Sequence, residues 1–249
     1  MRAVIMRFDA PLLSFGGVIV DQHGFIERFP GTAMLTGLIA NALGWLHKDA
    51  EQLGALQHRL TYAARWDVRP QRLLDYHTVD MGQPKMREEG WTTRGRPEHR
   101  AGGSAAKFGI HQRYRHYWMD GLMTVAVSLS PGGDPDVDAL ANALRRPSRP
   151  LFLGRKTCLP SRPLLDPNTP LAEGEDLLQI LRCTPVWDRA GQIVEDAPPF
   201  EACWPVLGGE VLVGVRGEVK EVFDRRDWAN QLPTGSTRRM EGLVTGGIR

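Results

Sequence analysis

The chain has 249 residues, 42% of them hydrophobic and 24% charged, with a net charge of +2. That length and apolar content suit one large domain or two small ones and exclude a largely disordered chain. A charge so near neutrality excludes polyanion binding driven by overall charge, so any such site must be a local basic stripe.

Residues 2–8 (RAVIMRF) are short, β-branched and partly alternating, the pattern of a first strand. A glycine-punctuated loop, APLLSFGGVIVDQHG, follows. The turn at Arg28, Phe29, Pro30 and Gly31 leads to Thr32, a good helix N-cap, and residues 33–48 are expected as a helix. Ala33, Gly37, Ala40 and Gly44 on it imply close approach to another backbone. A second short helix is expected over 49–60 and a strand over 60–68 (LTYAARWDV). Residues 70–115 form a polar, basic, glycine-rich stretch far longer than an ordinary strand connection. It is read as a protruding β-hairpin arm, mobile when alone. A strong strand over 122–129 (LMTVAVSL) returns the chain to the core, and 135–144 form an amphipathic helix with Val137, Leu140, Ala141 and Leu144 on one face. Beyond the basic loop described next, 178–187, 210–215 and 218–223 read as strands, the last two joined around Gly217. The residues from about 235 read as a flexible tail.

The most distinctive stretch is 145–164, RRPSRPLFLGRKTCLPSRPL. It carries Arg145, Arg146, Arg149, Arg155, Lys156 and Arg162 with no acidic residue, and four prolines and Gly154 keep it from forming one helix. Cations on a stiff, irregular backbone suit an irregular polyanion such as single-stranded RNA, though a solvated loop has the same composition. Residues 71–116 add nine Lys/Arg against five Asp/Glu. The arm's cations, Lys85, Arg87, Arg94, Arg96, Arg100, Lys107, Arg113 and Arg115, are interleaved with Trp91, Phe108, Tyr114 and Tyr117, as on a surface that tracks a backbone and stacks bases.

Weaker signals lie nearby. Ser14, Phe15, Gly16 and Gly17 permit close backbone approach to a phosphate or base, with Phe15 available for stacking. The helix entry at Thr32 beside Arg28 presents free amides to an anion. Tyr76 and His77 are residue types used for acid–base work on a 2′-hydroxyl, or for contact with RNA. No GxGxxG, P-loop, nucleophile elbow or carboxylate cluster is present, so no cofactor and no metal are expected. Cys158, Cys183 and Cys203 are odd in number and far apart, giving neither a disulfide framework nor zinc spacing, and Cys158 is read as structural. With no signal-peptide pattern and no run of ~18–20 apolar residues, the expected location is the cytoplasm, without membrane contact.

Several segments in order, MRAVIMRFDAPLLSFG, RFPGTAMLTGLIANALG, DYHTV and RPLFLGRKTCLPSRPL, resemble the CasD-like, type I-E branch of the "Cas five" group of CRISPR-associated RAMP proteins. The resemblance runs from residue 1 to about 223. It implies an α+β fold: a ferredoxin-like (RRM-like) core over 1–165 with a long thumb hairpin over 72–115, a small β-rich subdomain over 166–235, and a tail over 236–249. It also implies a non-catalytic subunit of the Cascade surveillance complex in antiviral defence. Such a subunit caps the crRNA 5′ handle, and its thumb clamps and kinks the RNA beside the first backbone subunit. The partners implied are the crRNA, that backbone subunit, the large PAM-recognising subunit and, through the complex, target DNA.

Carried onto this chain, the handle surface comprises Ser14, Phe15, Gly16, Gly17, Arg28, Thr32, Tyr76, His77, Arg145, Arg146, Arg149, Arg155, Lys156, Thr157 and Arg162. Two departures stand out: Ala33-Met34 replaces the Ser-Gly pair often found early in the first helix, and the thumb is longer and more basic. The alternative is a metal-independent endoribonuclease that processes repeat RNA, with His77, Tyr76 and Lys85 as its acid–base set.

Overall fold

The computed structural model describes residues 1–20, 22–80, 90–91, 97–98, 110–195, 197–206 and 215–245. The architecture is mixed α+β, built on antiparallel sheets with few helices. The main sheet has seven strands. In spatial order they are β11 (Leu171–Glu173), β1 (Arg2–Asp9), β10 (Leu122–Leu129), β5 (Leu60–Val68), β12 (Phe200–Pro205), β14 (Leu232–Val244) and β13 (Val215–Asp227). Each pairs antiparallel with its neighbours.

Strand alternation explains how this sheet holds two cores. Val4, Met6 and Phe8 of β1 point into one core with Met123, Val125 and Val127 of β10 and Leu60, Tyr62, Ala64 and Trp66 of β5. α1 (Thr32–Leu43), α2 (Ala50–Arg59) and α3 (Val137–Arg145) contribute Leu35, Leu56 and Leu140 to the same core. Ala3 and Ile5, from the other face of β1, pack with Ala63, Ala126 and the apolar side of α4 (Leu177–Cys183). Strands buried on both faces read as nearly continuous apolar runs, which is why β5 and β10 were legible.

The second core contains a buried ionic cluster. Asp67 accepts from Arg7 Nη1 at 2.7 Å, Arg65 Nε at 2.7 Å, Thr124 Oγ1 at 2.8 Å and the Trp187 amide at 3.0 Å. Asp166 takes Arg7 Nε at 2.7 Å. Arg65 also donates to the carbonyls of Leu181 and Thr184, closing the C-terminal end of α4.

The second sheet carries the arm. β9 (Ile110–Met119) lies against β6 (Gln71–Asp80) along its whole length, with Tyr114 opposite Tyr76 and Arg115 opposite Asp75. β9 also meets β2 (Leu12–Leu13) and runs parallel to β4 (His23–Ile26), which pairs with β3 (Gly16–Val20). The two-residue strands β7 (Gly90–Trp91) and β8 (Pro97–Glu98) pair with each other.

Five expectations are corrected. The loop after β1 contains the β3–β4 hairpin; its glycines hide the alternation of His23–Ile26. Thr32 is the first residue of α1 rather than its cap, and Gly31 at the N-cap makes no side-chain bond. Instead Asp224 Oδ2 accepts from the Thr32 amide at 2.7 Å and its hydroxyl at 2.9 Å.

Residues 177–183 are a helix, not a strand. Their apolar residues recur at helical spacing, Asp176 accepts from the Gln179 amide, and Gln179 Oε1 accepts from the Glu175 amide. Gly217 lies within β13, with Gly242 opposite, rather than in a turn. A Cβ on it would meet the Trp204 ring at 2.8 Å, so glycine here serves close approach; residues 210–214 lie outside the described residues.

Finally, 236–244 form most of β14 rather than a tail; β12, β14 and β13 continue the main sheet. Among the described residues, no helix is long and apolar enough to cross a membrane.

Candidate nucleic-acid interface

Alternation along β9 gives the arm sheet two chemically different faces. Arg113, Arg115 and Tyr117 leave one face, and Tyr114, His116 and Trp118 leave the other. The basic loop packs against the first. Arg155 donates to the His116 carbonyl at 2.8 Å and the Gly24 carbonyl at 3.1 Å, and its guanidinium lies 4.8 Å over the Tyr117 ring. A Cβ on Gly24 would sit 2.8 Å from Arg155 Nη2, so a side chain there would displace the guanidinium. The result is an open cleft of about 740 Å³ lined by Gln22, Gly24, Tyr114 and Thr157 together with Arg113, Arg115, Arg155 and Lys156. Four cations thus converge from two segments far apart in the chain.

A tight turn seats the loop. The Cys158 amide donates to the Arg155 carbonyl and the Leu153 amide to the Cys158 carbonyl, both at 2.8 Å. Gly154 adopts φ +108, and a Cβ there would overlap the Ser14 carbonyl. Ser14 in turn donates its amide to the Leu153 carbonyl at 3.0 Å. The 14–17 segment and the basic loop therefore meet. Cys158 is buried, and burial raises its thiol pKa, consistent with a structural residue.

The expected residues divide sharply on inspection. Lys156 and Thr157 are exposed at the cleft, Arg145 and Arg146 are exposed at the C-terminal end of α3, and Gly16 is exposed with open space where a Cβ would lie. Others are engaged within the protein. Phe15 is 0% exposed and packs against Phe8 and Trp66, so it cannot stack on a base. Ser14 is buried and Gly17 lies against Glu27. Arg28 is paired with Glu201 at 2.5 Å and lies 4.6 Å over Trp118.

Thr32 is buried, and the helix entry around it is already occupied by the Asp224 carboxylate, which takes the place of a ligand anion. Arg149 caps the C-terminal end of α1 through the carbonyls of Gly44 and Trp45. Arg162 is paired with Asp9 at 2.7 Å. A cation satisfied by protein groups gains little from a phosphate, so these corrections narrow the site to the cleft and its margin.

Tyr76 and His77 are adjacent on β6 and leave opposite faces. His77 Nε2 lies 2.5 Å from Asp75 Oδ2 on the basic side, and Tyr76 joins the rings of the other side. The two therefore do not share one acid–base site. Lys85, Arg87, Arg94, Arg96, Arg100 and Lys107 lie outside the described residues.

Sequence reasoning missed a row of rings drawn from three strands. Tyr76 of β6 lies 5.1 Å from Tyr114 of β9; Tyr114 lies 4.7 Å from His23 of β4 at an interplanar angle of 8°. Phe25 stacks on His23 at 5.5 Å and on His116 at 5.2 Å. Tyr76 is 50% and Phe25 47% exposed. The pKa of His116 is lowered by burial, then by His23, Arg72 and Arg155, so it is held neutral near pH 7. The sequence singles out Tyr76 and Tyr114 but not the row; for the other rings the local signal is the alternation of His23 and Phe25 after a glycine-rich stretch.

Comparison with known proteins agrees with this architecture. The family described as CRISPR-associated protein (Cas_Cas5) matches residues 3–240. The CRISPR system Cascade subunit CasD of Escherichia coli (strain K12) is 30% identical over 169 residues, covering 65% of this chain and 68% of that protein. A chain of a CRISPR RNA-guided surveillance complex superposes with a TM-score of 0.65 at 21% identity, covering 99% of this chain and 90% of the other. A Cas protein crystal structure gives 0.61 at 20% identity, with 98% of each chain covered. With the family pattern spanning nearly the whole sequence, this chain belongs to the Cas5 family of CRISPR-associated proteins, as a CasD-like member.

Proposed function

We propose that this protein is a non-catalytic subunit of a type I-E-like Cascade complex that binds and caps the 5′ handle of the crRNA. The observation that carries the reading is the cleft where Arg113 and Arg115 of the arm meet Arg155 and Lys156 of the basic loop. The exposed cations at its wall neutralise handle phosphates while Arg155 braces the loop, and Gly16 lets the RNA backbone approach the chain. Arg145 and Arg146 extend the basic margin. Splayed handle bases expose their edges, so recognition is partly base-specific.

The strand order β1-β10-β5, with α1 and α3 over one face and β11 added from beyond residue 165, supports reading the core over 1–165 as ferredoxin-like. The chain beyond 165, all of β14 included, then acts as a supporting β-rich part. The arm is the thumb that clamps and kinks the RNA beside the first backbone subunit. The large PAM-recognising subunit is a further protein partner, target DNA is met through the complex, and the site of action is the cytoplasm.

Incubating the protein with labelled repeat RNA in EDTA tests the reading. Intact RNA on a denaturing gel, with a retained and salt-sensitive complex on a native one, is the expected result. A single cut at the base of the repeat stem, lost in His77→Ala, would replace it with the endoribonuclease reading, for which the His77–Asp75 pair supplies a base. RNA binding unaffected by neutralising the cleft would instead mark a purely structural adaptor.

A further inference from the structure

The cleft uses one face of the arm sheet; the row of rings occupies the other. We propose that this row is a base-stacking platform: unpaired nucleobases of the bound RNA add to its open ends, on Tyr76 and on Phe25. The inference rests on the RNA-binding reading above and extends it to His23, Phe25 and His116, and to a stacking role for Tyr76 and Tyr114.

The geometry favours added rings over self-sufficient packing. Tyr76, Tyr114 and His23 lie across three adjacent strands at centroid spacings of 5.1 and 4.7 Å, set by the distance between strands. Such a row satisfies its inner rings and leaves its terminal faces without partners. Tyr76 stands on β6, whose only partner among the described residues is β9, so it borders a sheet edge. It and Phe25 remain about half exposed, more than large rings gain by facing water.

The chemistry of this face points to nucleobases rather than to a protein. From Arg72 to Thr78 of β6, and along β4 and β9, no position on it is Asp or Glu; Asp80 comes only at the far end of β6, opposite Ile110. Arg72 flanks the rings, 5.3 Å over Trp118, and supplies a cation at the margin. His116, held uncharged, presents a flat ring without a proton's repulsion toward Arg72. Flat π surfaces with a marginal cation are the composition of single-strand binding grooves. β6 separates this face from the cations of the cleft by only the thickness of one sheet. A strand crossing that edge therefore reaches phosphate contacts on one side and rings on the other.

The test uses the full chain and repeat-derived RNA carrying 2-aminopurine at successive handle positions. The Phe25→Ala and Tyr76→Ala variants are compared with Lys156→Ala, and Tyr76→Phe controls for a preserved ring. Each alanine variant is expected to weaken binding roughly tenfold. Neither changes a charge, so the slope of log affinity against log salt should stay at the wild-type value. Quenching of 2-aminopurine at one position should be lost in them and kept in Tyr76→Phe.

Unchanged affinity and quenching in both alanine variants, with a reduced slope in Lys156→Ala, overturns the platform and leaves the cleft intact. Variants that bind RNA normally but no longer assemble with the other Cascade subunits overturn it in favour of a protein interface. Failure of the wild-type chain to retain RNA at any salt overturns the reading on which the inference rests.

Discussion

The buried arginines of the main sheet and the exposed ones of the arm sheet share a side chain and little else. Arg7 and Arg65 are buried and fully matched by Asp67, Asp166 and backbone carbonyls. Arg113 and Arg115 stand exposed at an open cleft beside Lys156. The first population specifies how strands and α4 fit together; the second shapes a surface potential. A count of cations along the chain merges the two. Within 145–164 itself, Arg149, Arg155 and Arg162 hold the protein together, and Arg145, Arg146 and Lys156 face outward.

Mutations can break or sharpen this contrast. Asp67→Ala should have the largest effect, about 3–5 kcal/mol of lost stability, because it leaves Arg7 and Arg65 buried without their shared carboxylate. Urea unfolding measures it, and a loss under 1 kcal/mol would deny that the cluster is structural. Asp224→Ala should cost about 1–3 kcal/mol, since the Thr32 amide and hydroxyl and the Thr237 hydroxyl lose their acceptor. The same assay reads it, with α1 the first element to lose amide protection.

Gly154→Ala crosses between the two populations. It forces a side chain onto the Ser14 carbonyl at positive φ, costing about 1–3 kcal/mol. It should also shift Arg155 and Lys156 away from the cleft, so RNA affinity falls along with the melting temperature. Lys156→Ala should leave stability within about 0.5 kcal/mol and lower the salt slope of RNA binding by about one unit. A slope equal to wild type would remove Lys156 from the site.

The smallest effect concerns pH. The pKa of His116 is lowered in the folded protein by burial, His23, Arg72 and Arg155, so the unfolded chain binds more protons as pH falls through about 6.5. Folding stability therefore declines on acidification from about pH 6.5 down to the lowered folded value. His116→Gln should flatten that decline, and an unchanged pH profile of melting temperature would contradict it.

Legibility in the sequence followed the range of the interactions. β5, β10 and α2 could be read directly because burial on both faces, or helical spacing, is written into neighbouring residues. The arm was visible as an excursion, and its base is the β6–β9 pair. α4 was misread because its apolar residues are dense and its Asp176 cap was overlooked. Gly217 was read as a turn because a glycine in a strand and a glycine in a loop look alike until Trp204 is seen beside it. The Asp224 cap and the ring row could not be inferred, since each joins residues whose proximity only the sheet pairing creates.

The contact between Thr32 and Asp224 spans 192 positions, and Arg239 reaches across 209 to the Pro30 carbonyl, where it also bonds the Tyr62 hydroxyl. A ribosome delivers the first helix long before the strands that finish its entry. Until β13 and β14 emerge, the Thr32 amide lacks its carboxylate and the Pro30 carbonyl lacks its guanidinium. The nascent chain must therefore hold its first helix provisionally, and synthesis halted before residue 224 would yield a product whose opening segment is never locked.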